Sequence, residues 1–286
     1  MRASSKTAWR GRLRAELAVW STGAAALATG TRPPFILCYH GIGAPAGPDP
    51  DDLFIARARF AGQLDRLGAL GYRMVTVSEL WRRVRAGSAL GFGAITFDDG
   101  LAQVTSEALP ELTERGMQCT FYIATAWLGG RHPHLPEERV LTHDELRGLA
   151  GVGVEIGAHS VDHLRLPELT PGAAREQLER SRRELEEIVD RPVQSMAYPF
   201  GQYDERTVAA ARSAGYETAC GCSGPGPWAA LSLPREPIFG ATSDRRFRLK
   251  VAGVYGPVHR LRAVHPARPR PVRTDRRPRS ELPPAP

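Results

Sequence analysis

The chain has few cysteines, no long apolar run and no excess of positive charge in its middle. Each shortage closes off a class of function. Cysteine occurs four times in 286 residues, at Cys38, Cys119, Cys220 and Cys222. Cys220-Gly221-Cys222 lacks the two-residue gap and the second pair of a zinc site. Cys38 and Cys119 stand in apolar runs, FILCYH and CTFYIA, where buried free thiols are expected. Nothing here demands an oxidising compartment. The apolar stretch 17–28 (LAVWSTGAAALA) is too short to cross a bilayer. It follows an Arg-rich start and ends in Ala26-Leu27-Ala28, the layout of a signal peptide, but Ser21, Thr22 and Gly23 interrupt it. A cytoplasmic or membrane-associated place is favoured, and export stays open.

The formal charge is +7, yet residues 33–259 carry about −4. The basicity belongs to the ends: residues 1–32 hold a net +5 and residues 260–286 a net +6. A basic nucleic-acid groove in the core is therefore unsupported, and no nucleic-acid partner is expected. The basic ends could make peripheral contact with an anionic membrane; solvated disordered arms explain them equally. The sequence does not specify an oligomeric state.

At 42% hydrophobic and 24% charged, the composition is that of a globular protein. The organisation reads as a basic leader or extension over 1–32, a folded domain over 33–262, and a Pro- and Arg-rich disordered tail over 263–286. Within the domain, strands and helices alternate. Strands are expected at 35–39, 92–97, 119–124, 154–158, 195–200 and from Tyr216 onward. Helices are expected at 56–70, from the Thr76-Glu79 capping box through Val84, over about 103–115, after the Thr142-Glu145 capping box, at 171–190 and at 204–214. Such alternation implies a parallel α/β architecture, and this many units fit a closed barrel better than an open sheet.

Polar clusters follow three of the strands, where parallel α/β folds place active sites. The first is Thr96-Phe97-Asp98-Asp99-Gly100. Adjacent side chains diverge at a turn, so one carboxylate can hold a metal while the other meets its water. Alone, Asp-Asp-Gly reads more simply as a helix N-cap beside a solvated acid. The second is His159-Ser160-Val161-Asp162-His163. Histidines four apart can aim imidazole nitrogens at one point. With Asp99 they make two nitrogens and one oxygen, leaving a position for water. Asp162 could orient an imidazole, although an exposed loop acid is the simpler reading. The third is Ala197-Tyr198-Pro199-Phe200-Gly201, a turn whose N–H groups could face an oxyanion. His40, after FILCY, is a further acid or base candidate.

The segments TFDDG, HSVDH and YPFG, in this order, resemble the polysaccharide deacetylase family, also called the NodB-homology or carbohydrate esterase family four domain. The likeness runs from about Tyr39-His40 to about Phe247 and makes 33–262 its catalytic domain. It implies a distorted (β/α)7-type barrel. It also implies metal-dependent removal of N-acetyl, or O-acetyl, groups from N-acetylglucosamine-type sugars in a polysaccharide or glycoconjugate. By resemblance, Asp98 is the general base, Asp99, His159 and His163 are the metal ligands, and the Phe200 amide is the oxyanion donor. The family usually carries an Arg where this chain has Ala197. A branch with an N-terminal Tyr-His motif is closer: Tyr39-His40 then supplies His40 as the general acid. In that reading Arg235, in Leu233-Pro234-Arg235, takes over the orientation of Asp98. Zn2+ suits a His2Asp site, and Co2+, Ni2+ or Mn2+ also fit. Two rivals remain: an intracellular deacylase of a small or lipid-linked amino sugar, and a non-catalytic carbohydrate-binding module.

Overall fold

The computed structural model describes residues 31–222 and 228–253. The leader expected over 1–32, apart from its last two residues, and the tail expected over 263–286 lie outside the described residues.

Eight strands form one sheet: β1 (Phe35–Tyr39), β2 (Arg73–Val75), β3 (Phe92–Phe97), β4 (Thr120–Ile123), β5 (Glu155–Ala158), β6 (Ser195–Ala197), β7 (Thr218–Cys220) and β8 (Glu236–Pro237). Their order is β7-β6-β5-β4-β3-β1-β8, with β2 beside the first half of β3. Every pairing in this sheet is parallel. The segment Leu233–Pro237 joins the two edges. Leu233 donates to the Ala219 carbonyl at 2.8 Å and accepts from Gly221 N–H at 3.0 Å, and β8 then pairs with β1. The sheet is thereby curled into a distorted barrel with helices outside it, the fold class expected from the alternation.

Strand parity decides what lies inside. Side chains alternate along a strand, so Leu37, Tyr39, Ile95, Phe97, Phe121 and Ile123 face one way and pack in the large core beneath the helices. Ile36, Ala94, Tyr122, Ala197, Cys220 and Leu233 belong to a second, smaller core that fills the barrel. Both faces are covered, which is why β1 is buried at every residue. Asp98 continues the inward parity of Ala94 and Thr96, and His159 that of Gly157. The chemistry-bearing residues therefore sit on the barrel axis at the strand ends.

The helices are α1 (Arg57–Ala69), α2 (Val77–Arg85), α3 (Val104–Glu107), α4 (Leu109–Glu114), α5 (His143–Gly151), α6 (Pro171–Val189), α7 (Glu205–Ser213) and α8 (Asp244–Val251). The N-terminus of α2 seals the opposite end of the barrel, where Glu155 and Thr120 accept from Val77 N–H at 3.0 Å each. The Thr142-Glu145 capping box forms in full, whereas Thr76 makes only its own half, accepting from Glu79 N–H. The single helix expected over 103–115 is two, broken at Ala108. Pro110 has no N–H to return to the preceding turn, so the first helix cannot run through it. The strand expected over 195–200 stops at Ala197, and Pro199–Gly201 form a tight turn with Phe200 at φ 58°. All four cysteines are free, Cys38 and Cys119 being buried as expected. Among the described residues no helix is long and apolar enough to cross a membrane.

Candidate metal centre and active site

β3 runs straight into Asp98-Asp99-Gly100, and the Asp98 N–H is fixed on the Tyr39 carbonyl at 3.0 Å. Asp99 has φ 71° and Gly100 φ 72°. A positive φ is costly for aspartate, and here it turns the two carboxylates apart at the barrel mouth. Asp98 points inward and Asp99 toward the loop after β5.

That loop is equally constrained. Ser160 and His163 both take positive φ, at 63° and 55°. The His163 N–H donates to Ser160 Oγ at 3.1 Å, closing the turn that brings the second imidazole back over the first. The two rings lie 4.7 Å apart by centroid. The ligand atoms of Asp99, His159 and His163 all fall within 4.8 Å of one another. His159 Nε2 is 3.7 Å, and His163 Nε2 3.6 Å, from Asp99 Oδ1. Ligands about 2.0–2.2 Å from one ion stand roughly 3–4 Å apart, so this spacing fits a shared divalent metal.

Protonation fits as well. His159 Nδ1 lies 2.8 Å from the Ala197 carbonyl, which can only accept. Nδ1 therefore carries the hydrogen and Nε2 keeps its lone pair for a ligand. Burial, with His159 beside it, pushes the His163 pKa down to about 3, so that ring is neutral near pH 7. Burial raises the Asp99 pKa, but a hydrogen bond from His132 and the nearby His40, His163 and His159 together hold it well below the usual carboxylate range. Asp99 Oδ1 is buried and has no hydrogen-bond partner among the described residues. A buried, ionised oxygen without a partner is costly, and a cation between the imidazoles removes that cost.

Asp98 is already spoken for on one side. Arg235 Nη1 donates to its Oδ1 at 2.6 Å and Nη2 to its Oδ2 at 2.7 Å. Burial raises the Asp98 pKa, but Arg235 together with the nearby His159 and His40 outweighs it, giving about 2. Asp98 Oδ2 also stands 3.6 Å from His159 Nε2 and accepts from Cys38 Sγ at 3.4 Å. His40, at the end of β1, lies with Cys38 and Asp98 in a second group whose polar atoms are within 4.8 Å of one another. Its Nδ1 is buried and has no hydrogen-bond partner among the described residues. Phe200 is 45% exposed at the mouth, its ring 4.6 Å from His163 and capped by Arg165 at 4.1 Å. The hydrogen bonds of its turn use the Gly201 and Gln202 amides.

The structure thus gathers Asp98, Asp99, His159, His163, His40, Arg235 and Phe200 at one mouth. Asp162 stays outside it: exposed, it accepts from Gln177 Nε2 at 2.6 Å and touches no imidazole. His132, which the sequence reading passed over, is inside it. It sits on a hairpin of Arg131–His132 and Leu135–Arg139, and its Nε2 is 3.2 Å from Asp99 Oδ2. The run RHPHLPEER has neither strand nor helix period, so only the fold reveals it.

A model of the polysaccharide deacetylase family matches residues 92–219. YxkH of Bacillus subtilis (strain 168), a provisionally named polysaccharide deacetylase, is 28% identical over 184 residues, which cover 64% of this chain and 62% of YxkH. The chain thus spans less than two-thirds of that relative. Two solved structures share the fold. BA0330 of Bacillus anthracis, also provisionally named a polysaccharide deacetylase, is 25% identical with a TM-score of 0.66, over 77% of this chain and 69% of its own. The Streptococcus pyogenes deacetylase PplD, solved with acetate, is 22% identical with a TM-score of 0.66, over 77% of this chain and 98% of its own.

Proposed function

We propose that the chain is a member of the polysaccharide deacetylase family, whose model matches residues 92–219, and that it is a metal-dependent hydrolase removing acetyl groups from N-acetylglucosamine-type sugars in a polysaccharide or glycoconjugate. The observation that carries this reading is the buried, unpartnered Asp99 Oδ1 between the ligand-ready nitrogens of His159 and His163. A divalent ion held there supplies Lewis acidity toward an acyl oxygen and acidity to a water. Zn2+ suits the donor set best, with Co2+, Ni2+ and Mn2+ as alternatives.

The remaining work falls to the chain. Asp98 is ionised at neutral pH, and it accepts the proton of the attacking water. Arg235 fixes its plane, so the carboxylate needs no reorganisation when that proton arrives. The Phe200 amide donates to the oxygen that gains charge. His40 delivers a proton to the leaving nitrogen, without which the amide C–N bond would not break. The exposed ring of Phe200 gives the sugar an apolar wall beside His163.

The test is acetate release from N-acetylglucosamine oligomers, peptidoglycan fragments and lipid-linked amino sugars. The full chain is first stripped with chelator and then reloaded with each metal. Release restored by metal on at least one glycan supports the proposal. Metal-independent release, or none on any substrate with metal bound, overturns it.

A further inference from the structure

His132 is 2% exposed, yet its neighbours Arg131, Pro133 and His134 all face solvent. Two hydrogen bonds and ring contacts with Trp127 and His134 hold it. The His134 backbone N–H donates to its Nδ1 at 3.2 Å. A ring nitrogen that accepts cannot carry the hydrogen, so the neutral imidazole has it on Nε2. Nε2 lies 3.2 Å from Asp99 Oδ2 and donates to it. Trp127 packs edge-on against the His132 ring at 4.7 Å and also touches His163 at 5.0 Å.

The hairpin that carries His132 is stitched to the turn that carries Asp99. Ala102 N–H donates to the Arg139 carbonyl at 2.9 Å, and Leu141 N–H to the Gly100 carbonyl at 2.9 Å. The two residues therefore cannot drift apart independently. Asp99 is left with one oxygen engaged from outside and the other, Oδ1, buried and without a hydrogen-bond partner among the described residues.

We propose that His132 is a positioning residue for the metal, acting through Asp99. By holding Oδ2, it aims Oδ1 at the point shared with His159 and His163 and makes Asp99 a one-oxygen ligand. A carboxylate free to rotate could offer both oxygens, and the second would compete for the position that water and substrate need. Partners of this kind around metal ligands carry roughly 10–100-fold in metal affinity. The proposal rests on the metal-site reading above and adds a residue that no sequence motif marks.

The experiment measures Zn2+ affinity of the full, chelator-stripped chain by competition with a fluorescent indicator, and the visible spectrum of the Co2+ form. His132→Phe keeps a ring against Trp127 and loses the N–H. Zn2+ binding should weaken roughly 10–100-fold, and the cobalt band should lose intensity as Asp99 takes up two-oxygen binding. His132→Gln sets an amide N–H near the place of Nε2 and should keep most of the wild-type affinity. Wild-type affinity in a folded His132→Phe overturns the proposal, and so does a His132→Gln as weak as the Phe variant. If His132→Phe fails to fold, His134→Pro decides. It removes the N–H that fixes the tautomer from an exposed site; weakened Zn2+ binding supports the proposal and unchanged binding overturns it. A wild-type chain that binds no metal defeats the functional reading itself, whereas normal wild-type binding with an indifferent His132 defeats only this inference.

Discussion

Arg235 holds both oxygens of Asp98 across 137 residues of sequence, Nη1 on Oδ1 at 2.6 Å and Nη2 on Oδ2 at 2.7 Å. The guanidinium is fully buried. It lies 5.3 Å over the Tyr122 ring and also reaches Thr96 Oγ1 at 3.1 Å and the Gly221 carbonyl at 3.4 Å. Two charges in a barrel interior are costly to desolvate, and the fork geometry offsets that cost only while both partners remain.

Removing one partner should therefore cost more than removing an ordinary surface charge. Arg235→Met is expected to destabilise the fold by about 3–5 kcal/mol, because a buried carboxylate loses its cation. Urea denaturation of the metal-free protein measures this. A midpoint equal to wild type would contradict the burial argument. In whatever fraction folds, the acid limb of the rate profile should move up in pH, since burial then acts on Asp98 with only His159 and His40 left to oppose it.

The same pair sets an acid limit on stability. Asp98 has a folded pKa of about 2 against an ordinary 3.8. Because the folded value is the lower one, the carboxylate contributes stability above pH 3.8 and loses it as pH falls toward 2. Asp99 is shifted in the same direction. The urea midpoint of the metal-free protein should drop across this window. In Asp98→Asn the drop should be shallower. An equally steep drop in that variant would assign the acid sensitivity elsewhere.

Base and ligand can be separated by substitution. Asp98→Asn keeps the Asp99, His159 and His163 set intact, so it should bind one metal per chain while acetate release falls about 10²–10⁴-fold. His159→Ala removes a ligand nitrogen and should lower both metal content and activity. Metal analysis after gel filtration, paired with the acetate assay, gives the two readouts. Full turnover in Asp98→Asn would remove Asp98 from the chemistry.

The parts legible in the sequence were those written in contiguous strings. FGAITF followed by Asp-Asp-Gly displays both its parity and its turn, and HSVDH displays its spacing, so β3, β5 and the candidate ligand set Asp99, His159 and His163 could be picked out from residues alone. Arg235 was reachable only through resemblance, because nothing local in LPREP says that Leu233–Pro237 closes the barrel. Ala197, conspicuous in sequence for lacking an arginine, has a use that only geometry reveals: its carbonyl fixes the tautomer of His159. His132 carries no local signal, since the group that engages it is Asp99, 33 residues earlier.

Gly157 tests whether the barrel floor beneath Arg235 is as tight as it looks. It lies in β5 opposite Tyr122 of β4. A Cβ there would stand 2.5 Å from Tyr122 Cδ1 and Cε1, and 2.9 Å from the Ser195 carbonyl oxygen. The ring has little freedom to retreat: its hydroxyl is bonded to Ser195 Oγ at 2.8 Å, and Arg235 lies over its face. Substituting alanine for a strand glycine ordinarily gains about 0.4–1 kcal/mol through the unfolded chain. Overpacking a filled core loses about 1–3 kcal/mol. Here the clash involves backbone as well as ring, so the loss should win, and Gly157→Ala should unfold at lower temperature than wild type. Displacing Tyr122 also disturbs the seat of Arg235, so turnover should fall more than metal affinity. A Gly157→Ala protein more stable than wild type would show that Tyr122 yields easily and that Arg235 does not depend on it.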